Sequence, residues 1–211
     1  MKRPLRHMPR SLIAIMLALA ATPAAAHHPM GGATPGTLLE GLLSGFGHPV
    51  IGIDHLLFIV AVGIACYYFG QRVMMIAATL LGALAGTLLH VQAPGLPYHD
   101  VFVALSLIVL GVVLIRRHDV LRSTWAALLF AASGLAHGYA YGEAIVGAET
   151  TPLLAYLVGF TLMQFAIAFG GYALARFVSA RRLAFAFLPA AGATLAAVGA
   201  GFLAFSQLAA G

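Results

Sequence analysis

Residues 48–69 read HPVIGIDHLLFIVAVGIACYYF, a stretch in which His48, Asp54 and His55 stand at the head of an otherwise apolar run. About 20 predominantly apolar residues make a helix long enough to cross a ~30 Å hydrocarbon core. Ionisable groups are costly where lipid is the solvent, so a spanning segment that keeps them is a functional-site candidate. A second cluster follows at residues 137–143, HGYAYGE, with His137 and Glu143 at its ends. Imidazole and carboxylate are ligands of divalent transition metals. Together the two clusters predict a metal site inside a membrane.

Composition agrees with this reading. Of 211 residues, 62% are hydrophobic and 8% charged, whereas soluble domains carry about 25% charged residues; mean hydropathy is +0.98. An all-α polytopic membrane protein is expected. Residues 1–26 have the form of a secretory signal peptide. Lys2, Arg3, Arg6 and Arg10 precede the apolar run Ser11 to Ala21, which is too short to span, and Ala24, Ala25 and Ala26 supply small residues before a cleavage point. Cleavage after Ala26 leaves residues 27–211 as a single transmembrane domain beginning His27-His28-Pro29. It also removes four of the 11 basic residues, taking the net charge from +5 to +1. The basic pI is then a property of the leader, and no nucleic-acid partner is implied. Cys66 is the single cysteine, so no disulfide framework can form within the chain.

Hydropathy divides the mature chain into about six spans, near 49–69, 73–92, 99–116, 122–143, 152–175 and 184–207, each close to the ~20 residues a bilayer requires. Arg72 follows the first span, Arg116, Arg117 and Arg122 the third, and Arg176, Arg181 and Arg182 the fifth. All mature arginines thus fall on one side, which the positive-inside rule makes cytoplasmic. Both mature termini are then exterior, in agreement with an exported N-terminus.

Upstream of the first span, Leu38, Leu39, Leu42, Leu43 and Phe46 recur at helical spacing. One helix over residues 37–69 would be about 50 Å long, well beyond the bilayer core. A break is therefore expected at Gly45, Gly47 and Pro49, separating a short interfacial or re-entrant helix over 36–46 from the spanning helix. With the first span entering from outside, His48 lies at the external surface and Asp54 and His55 about 9 to 10 Å deeper. The fourth span runs outward, which puts His137 and Glu143 in the same external half. His48 and His55, seven residues apart, share a face if both are helical, and Asp54 points about 100° away.

Gly134, Gly138 and Gly142 form a small-residue stripe that admits a close helix partner. If that partner is the first span, His137 and Glu143 meet His48, Asp54 and His55. Gly82 and Gly86 are assigned to packing alone. Two carboxylates and three neutral imidazoles around a divalent ion sum to zero charge, and no lysine or arginine nearby in sequence substitutes for the cation. His27 and His28 are secondary candidates for capturing metal at the external mouth. His90, His99 and Asp100 read as interfacial polar residues or an entry vestibule, His118 and Asp119 as solvated loop residues. Gln164, in the middle of the fifth span, makes either a helix–helix hydrogen bond or a pathway contact.

On these residues the chain resembles the HupE/UreJ family of nickel and cobalt transporters. The family pattern His-Pro-x-x-Gly-x-Asp-His is matched by His48, Pro49, Gly52, Asp54 and His55. Its second pattern, aromatic-His-Gly-x-Ala/Val-x-Gly-x-Glu, is matched with relaxed spacing by His137, Gly138, Ala140, Gly142 and Glu143; Ala136 stands where the family often has phenylalanine. The resemblance implies uptake of nickel, or of cobalt, as a transported substrate with no resident cofactor. It also implies a multi-pass protein of a bacterial inner membrane with periplasmic termini, supplying metal to hydrogenase or urease maturation. From the residues alone, imidazole suits nickel, cobalt, copper and zinc alike. A membrane metal hydrolase remains the rival class, because histidines and a carboxylate can also hold a metal-bound water; a serine or threonine nucleophile is not placed near either motif, although a metal-bound water would not need one. A metal sensor is disfavoured by the absence of any sizeable soluble domain.

Overall fold

The computed structural model describes residues 32–70, 72–116, 125–181 and 184–209. The expected signal peptide, His27, His28, His118 and Asp119 lie outside them. The described residues form seven α-helices and one 3-10 turn, with no strand. The helices are α1 Leu38–Ile51, α2 Ile53–Phe69, α3 Arg72–Gln92, α4 His99–Arg116, α5 Trp125–Gly142, α6 Thr150–Ala180 and α7 Ala184–Ala209. Among the described residues, four segments are long and apolar enough to cross a membrane: Met74–Gln92, His99–Arg116, Thr150–Ala180 and Ala186–Leu208. The bent pair α1 and α2 makes a fifth if it counts as one span. The segment expected as the fourth span, α5, is 18 residues long but interrupted by His137, Tyr139 and Tyr141. The protein is an all-α, multi-pass membrane protein. Its outer surface carries Leu128, Leu154, Phe165, Phe169 and Phe177, all exposed, as a lipid-facing surface requires.

The helix start at α1 follows from local chemistry. Thr37 accepts from the Glu40 backbone N–H at 3.2 Å, and the Glu40 carboxylate accepts in return from the backbone of Gly36 at 2.8 Å and Thr37 at 3.1 Å. This capping box satisfies donors that a helix N-terminus would otherwise leave unpaired.

The break between α1 and α2 is real but displaced from its expected position. Helix α1 runs through Gly45, Gly47 and Pro49 to Ile51, and the chain turns at Gly52, where the two helix axes differ by 79°. Proline removes one backbone hydrogen bond and weakens the turn preceding it; the helix closes two residues later, with the Gly52 N–H donating to the His48 carbonyl at 3.3 Å. Gly45 serves packing instead: a Cβ there would strike the backbone of Tyr156 and Phe160 in α6.

Three glycine-lined contacts organise the bundle, each permitting backbones to approach closely. Gly41, Gly45, Gly159, Gly63 and Gly171 join α1 and α2 to α6, and Gly111, Gly192 and Gly199 join α4 to α7. The stripe Gly134, Gly138 and Gly142 joins α5 to α3, against Thr79, Ala83, Thr87 and His90, with Gly82 and Gly86 answering from α3. The partner of this stripe is therefore α3, and not the first span through which His137 and Glu143 were to meet the first cluster. His137 projects from a different face of α5, and that face meets α2: its ring stacks on Phe58 with centroids 4.0 Å apart and planes at 10°.

Candidate metal centre

The break brings the start of α2 and the end of α1 beside α5 and α6. His48, Asp54, His55 and His137 are all buried, at 2%, 5%, 3% and 0% exposure. The imidazoles of His48 and His55 approach to a centroid separation of 5.8 Å although a helix bend lies between them. His55 Nδ1 stands 2.8 Å from His137 Nδ1 and 3.6 Å from one carboxylate oxygen of Asp54. The other oxygen, Oδ1, is buried without a hydrogen-bond partner. One motif histidine from the first cluster thus touches one from the second.

Hydrogen bonds decide how these rings are protonated. The Ser106 hydroxyl donates to the Val103 carbonyl at 2.7 Å, so its oxygen accepts from His137 Nε2–H at 2.9 Å. The Nδ1 of His137 is then an acceptor, and His55 donates to it from Nδ1. The Tyr156 hydroxyl, likewise, donates to the Tyr141 carbonyl at 2.8 Å and accepts from His48 Nδ1–H at 3.1 Å. The bonds to His48 and His55 each engage the imidazole through Nδ1. Fixing the tautomer of a ligand histidine through its other nitrogen is a common device in metal sites.

The arrangement also bears on nucleophilic chemistry. A serine does stand beside a motif histidine, contrary to the expectation from sequence, because α4 packs Ser106 against α5. Its proton, however, is held by Val103, and His137 donates to it, the reverse of the polarity by which a histidine activates a hydroxyl.

Glu143 is separated from the four buried residues in environment. It opens the 3-10 turn Glu143–Ile145 after α5, is exposed, and acts electrostatically on His90. His90 itself is buried, with Nδ1 2.7 Å from the Tyr139 carbonyl. His99 lies across from it at a centroid distance of 6.5 Å and pairs with Asp100 at 3.3 Å, so His90, His99 and Asp100 form one group. Among the described residues, no group of three or more His, Cys, Asp or Glu side chains stands in an arrangement that could hold a metal ion.

Tyr141, Tyr156, Ser106 and Phe58 were not anticipated. Tyr141 is buried between His48 and His55, with ring centroids 5.0 and 4.3 Å away, and it lies inside the quoted second cluster. Tyr156 leads a buried series at four-residue spacing, Tyr156, Phe160, Gln164 and Ala168, whose polar members were the available signal. Gln164 is 1% exposed, and neither atom of its amide has a hydrogen-bond partner.

Protein HupE of Rhizobium leguminosarum bv. viciae is 31% identical over 137 residues, covering 64% of this chain and 69% of the relative. No solved structure matches the chain. The family described as HupE / UreJ protein matches residues 15–202, which include every buried residue of the site, and the chain belongs to that family.

Proposed function

We propose that the protein carries nickel, or cobalt, inward across a bacterial inner membrane, and that it is not an enzyme. The ion is bound in the external half by His48, Asp54, His55 and His137, with Glu143 at the entrance and His27 and His28 as secondary captors. Six spans with both mature termini periplasmic, after removal of residues 1–26, complete this reading. The metal then serves hydrogenase or urease maturation.

The observation that carries the proposal is the 2.8 Å separation of the Nδ1 atoms of His55 and His137. Two nitrogens bound at ~2.0–2.1 Å to one ion, at a right angle, lie about 2.9 Å apart. The pair is therefore already at the spacing of two neighbouring ligands, and His55 becomes the second donor once its proton moves from Nδ1 to Nε2 as the cation arrives. Asp54 supports the same reading, since its unpartnered buried oxygen is a donor held within the site. Nickel over zinc rests on family membership, since imidazole accepts both. The polarity of the Ser106–His137 bond stands against a serine nucleophile, whereas hydrolysis by a metal-bound water needs no serine and is separated from transport by experiment.

Reconstitution in sealed liposomes tests the proposal. External nickel is expected to reach a lumenal metal-sensitive dye, with the rate falling as external pH drops through about 6.5, because protons then occupy the imidazole lone pairs. Tight binding without passage, accompanied by metal-dependent cleavage of a lipid or peptide, would replace transport with catalysis.

A further inference from the structure

Among the described residues, the buried side-chain atoms without a hydrogen-bond partner belong to four residues: Ser44, Asp54, Tyr141 and Gln164. Ser44 lies one turn before His48 on α1, and Asp54 and Tyr141 belong to the site itself. Gln164 is the outlier. It is on α6, eight residues beyond the Tyr156 that holds His48, which is about 12 Å further along the helix axis. Along α6, Pro152 and Tyr156 abut α1 while Ala168 abuts α2. Gln164 falls between these contacts, level with the break that separates the two helices. One turn before it, Phe160 touches the Tyr141 ring at 5.0 Å, and Tyr141 touches His55 at 4.3 Å.

A carboxamide in a spanning helix ordinarily bonds a neighbouring helix. Here neither the nitrogen nor the oxygen does so, although the residue is 1% exposed. Burying an amide unpaired is unfavourable, and such a group in a native protein calls for a ligand or a function. We infer that Gln164 is the next station on the metal's route, its Oε1 receiving a partly hydrated divalent cation as the ion leaves the imidazoles. A neutral oxygen suits that step, because a relay must bind strongly enough to accept an ion and weakly enough to release it. The inference rests on the transport reading above.

The full chain in sealed liposomes, with nickel as the probe, separates the two. Gln164→Met removes the oxygen at similar volume and is expected to lower the initial uptake rate at least tenfold. Equilibrium nickel binding in detergent should stay within about twofold, and the thermal midpoint should hold or rise, since no hydrogen bond is lost. Gln164→Asn, which keeps the carboxamide, should retain more uptake than Gln164→Met. Uptake by Gln164→Met at the wild-type rate overturns the inference while leaving transport intact. So does loss of stability and of nickel binding in both variants, which would mark Gln164 as a structural anchor. A wild-type protein that moves no nickel removes the transport reading, and this inference with it.

Discussion

The Tyr156 hydroxyl accepts a hydrogen bond from His48 Nδ1 at 3.1 Å, so a residue of α6 determines which nitrogen of His48 carries the lone pair. Loss of such an orienting partner typically lowers metal affinity 10- to 100-fold. Tyr156→Phe is accordingly expected to raise the nickel Kd by about tenfold, measured by calorimetry on detergent-solubilised protein, with the fold retained by circular dichroism. An unchanged Kd would remove His48 from the ligand set or Tyr156 from its support, and His48→Ala decides between them.

Substitution of the ligands themselves should be more severe. His48→Ala, Asp54→Ala, His55→Ala and Glu143→Gln are each expected to abolish nickel uptake while protein still reaches the membrane, judged by immunoblot of membrane fractions. Near-normal uptake in the Asp54 and His55 variants would end the assignment. His118→Ala is the silent control.

The close approach of α5 to α3 yields a test of the fold alone. A Cβ at Gly138 would meet the backbone of Ala83, which cannot move aside as a flexible side chain can. Overpacking of this kind costs about 1–3 kcal/mol or more, so Gly138→Ala should lower the thermal midpoint. Gly170→Ala faces open space on α6 and should be neutral or stabilising by up to about 1 kcal/mol, from helix propensity. Equal effects at the two positions would contradict the helix pairing.

Processing and topology can be measured without metal. Mass spectrometry of the purified protein is expected to give an N-terminus at His27, and a reporter fused at Gly211 should report the exterior. A cytoplasmic C-terminus would mean a different number of spans, and the depths of the two clusters, which depend on span direction, would have to be assigned afresh.

Much of this was legible because hydropathy and motif content are local properties. The apolar run after His55 and the long helices α3, α4, α6 and α7 needed no knowledge of their neighbours. The break was legible in kind and not in place: Gly45 and Pro49 both have helix-breaking tendencies, but Gly45 is used for contact with Tyr156, which only the assembled pair reveals. For the same reason the glycines of α5 declared a close partner without naming α3. Ser106 was invisible as a site residue, since a serine in an apolar helix has one sequence signature whether it bonds only its own backbone or also a histidine across the bundle. Glu143, close to His137 in sequence, ends exposed beyond the last turn of α5, where helical spacing no longer predicts direction.

The bend at Gly52 has an electrostatic consequence. A continuous helix would bury its peptide dipoles head to tail, whereas this break turns two helix ends toward the same buried place. The last turn of α1, bearing His48, presents the partial negative charge of its terminal carbonyls, and the first turn of α2, bearing Asp54, presents the partial positive charge of its leading N–H groups. The backbone thereby poles the centre, drawing a cation to one end and holding a carboxylate at the other. A membrane protein with few charged residues can in this way build a cation-attracting interior from the main chain, with a single acidic side chain in the buried cluster.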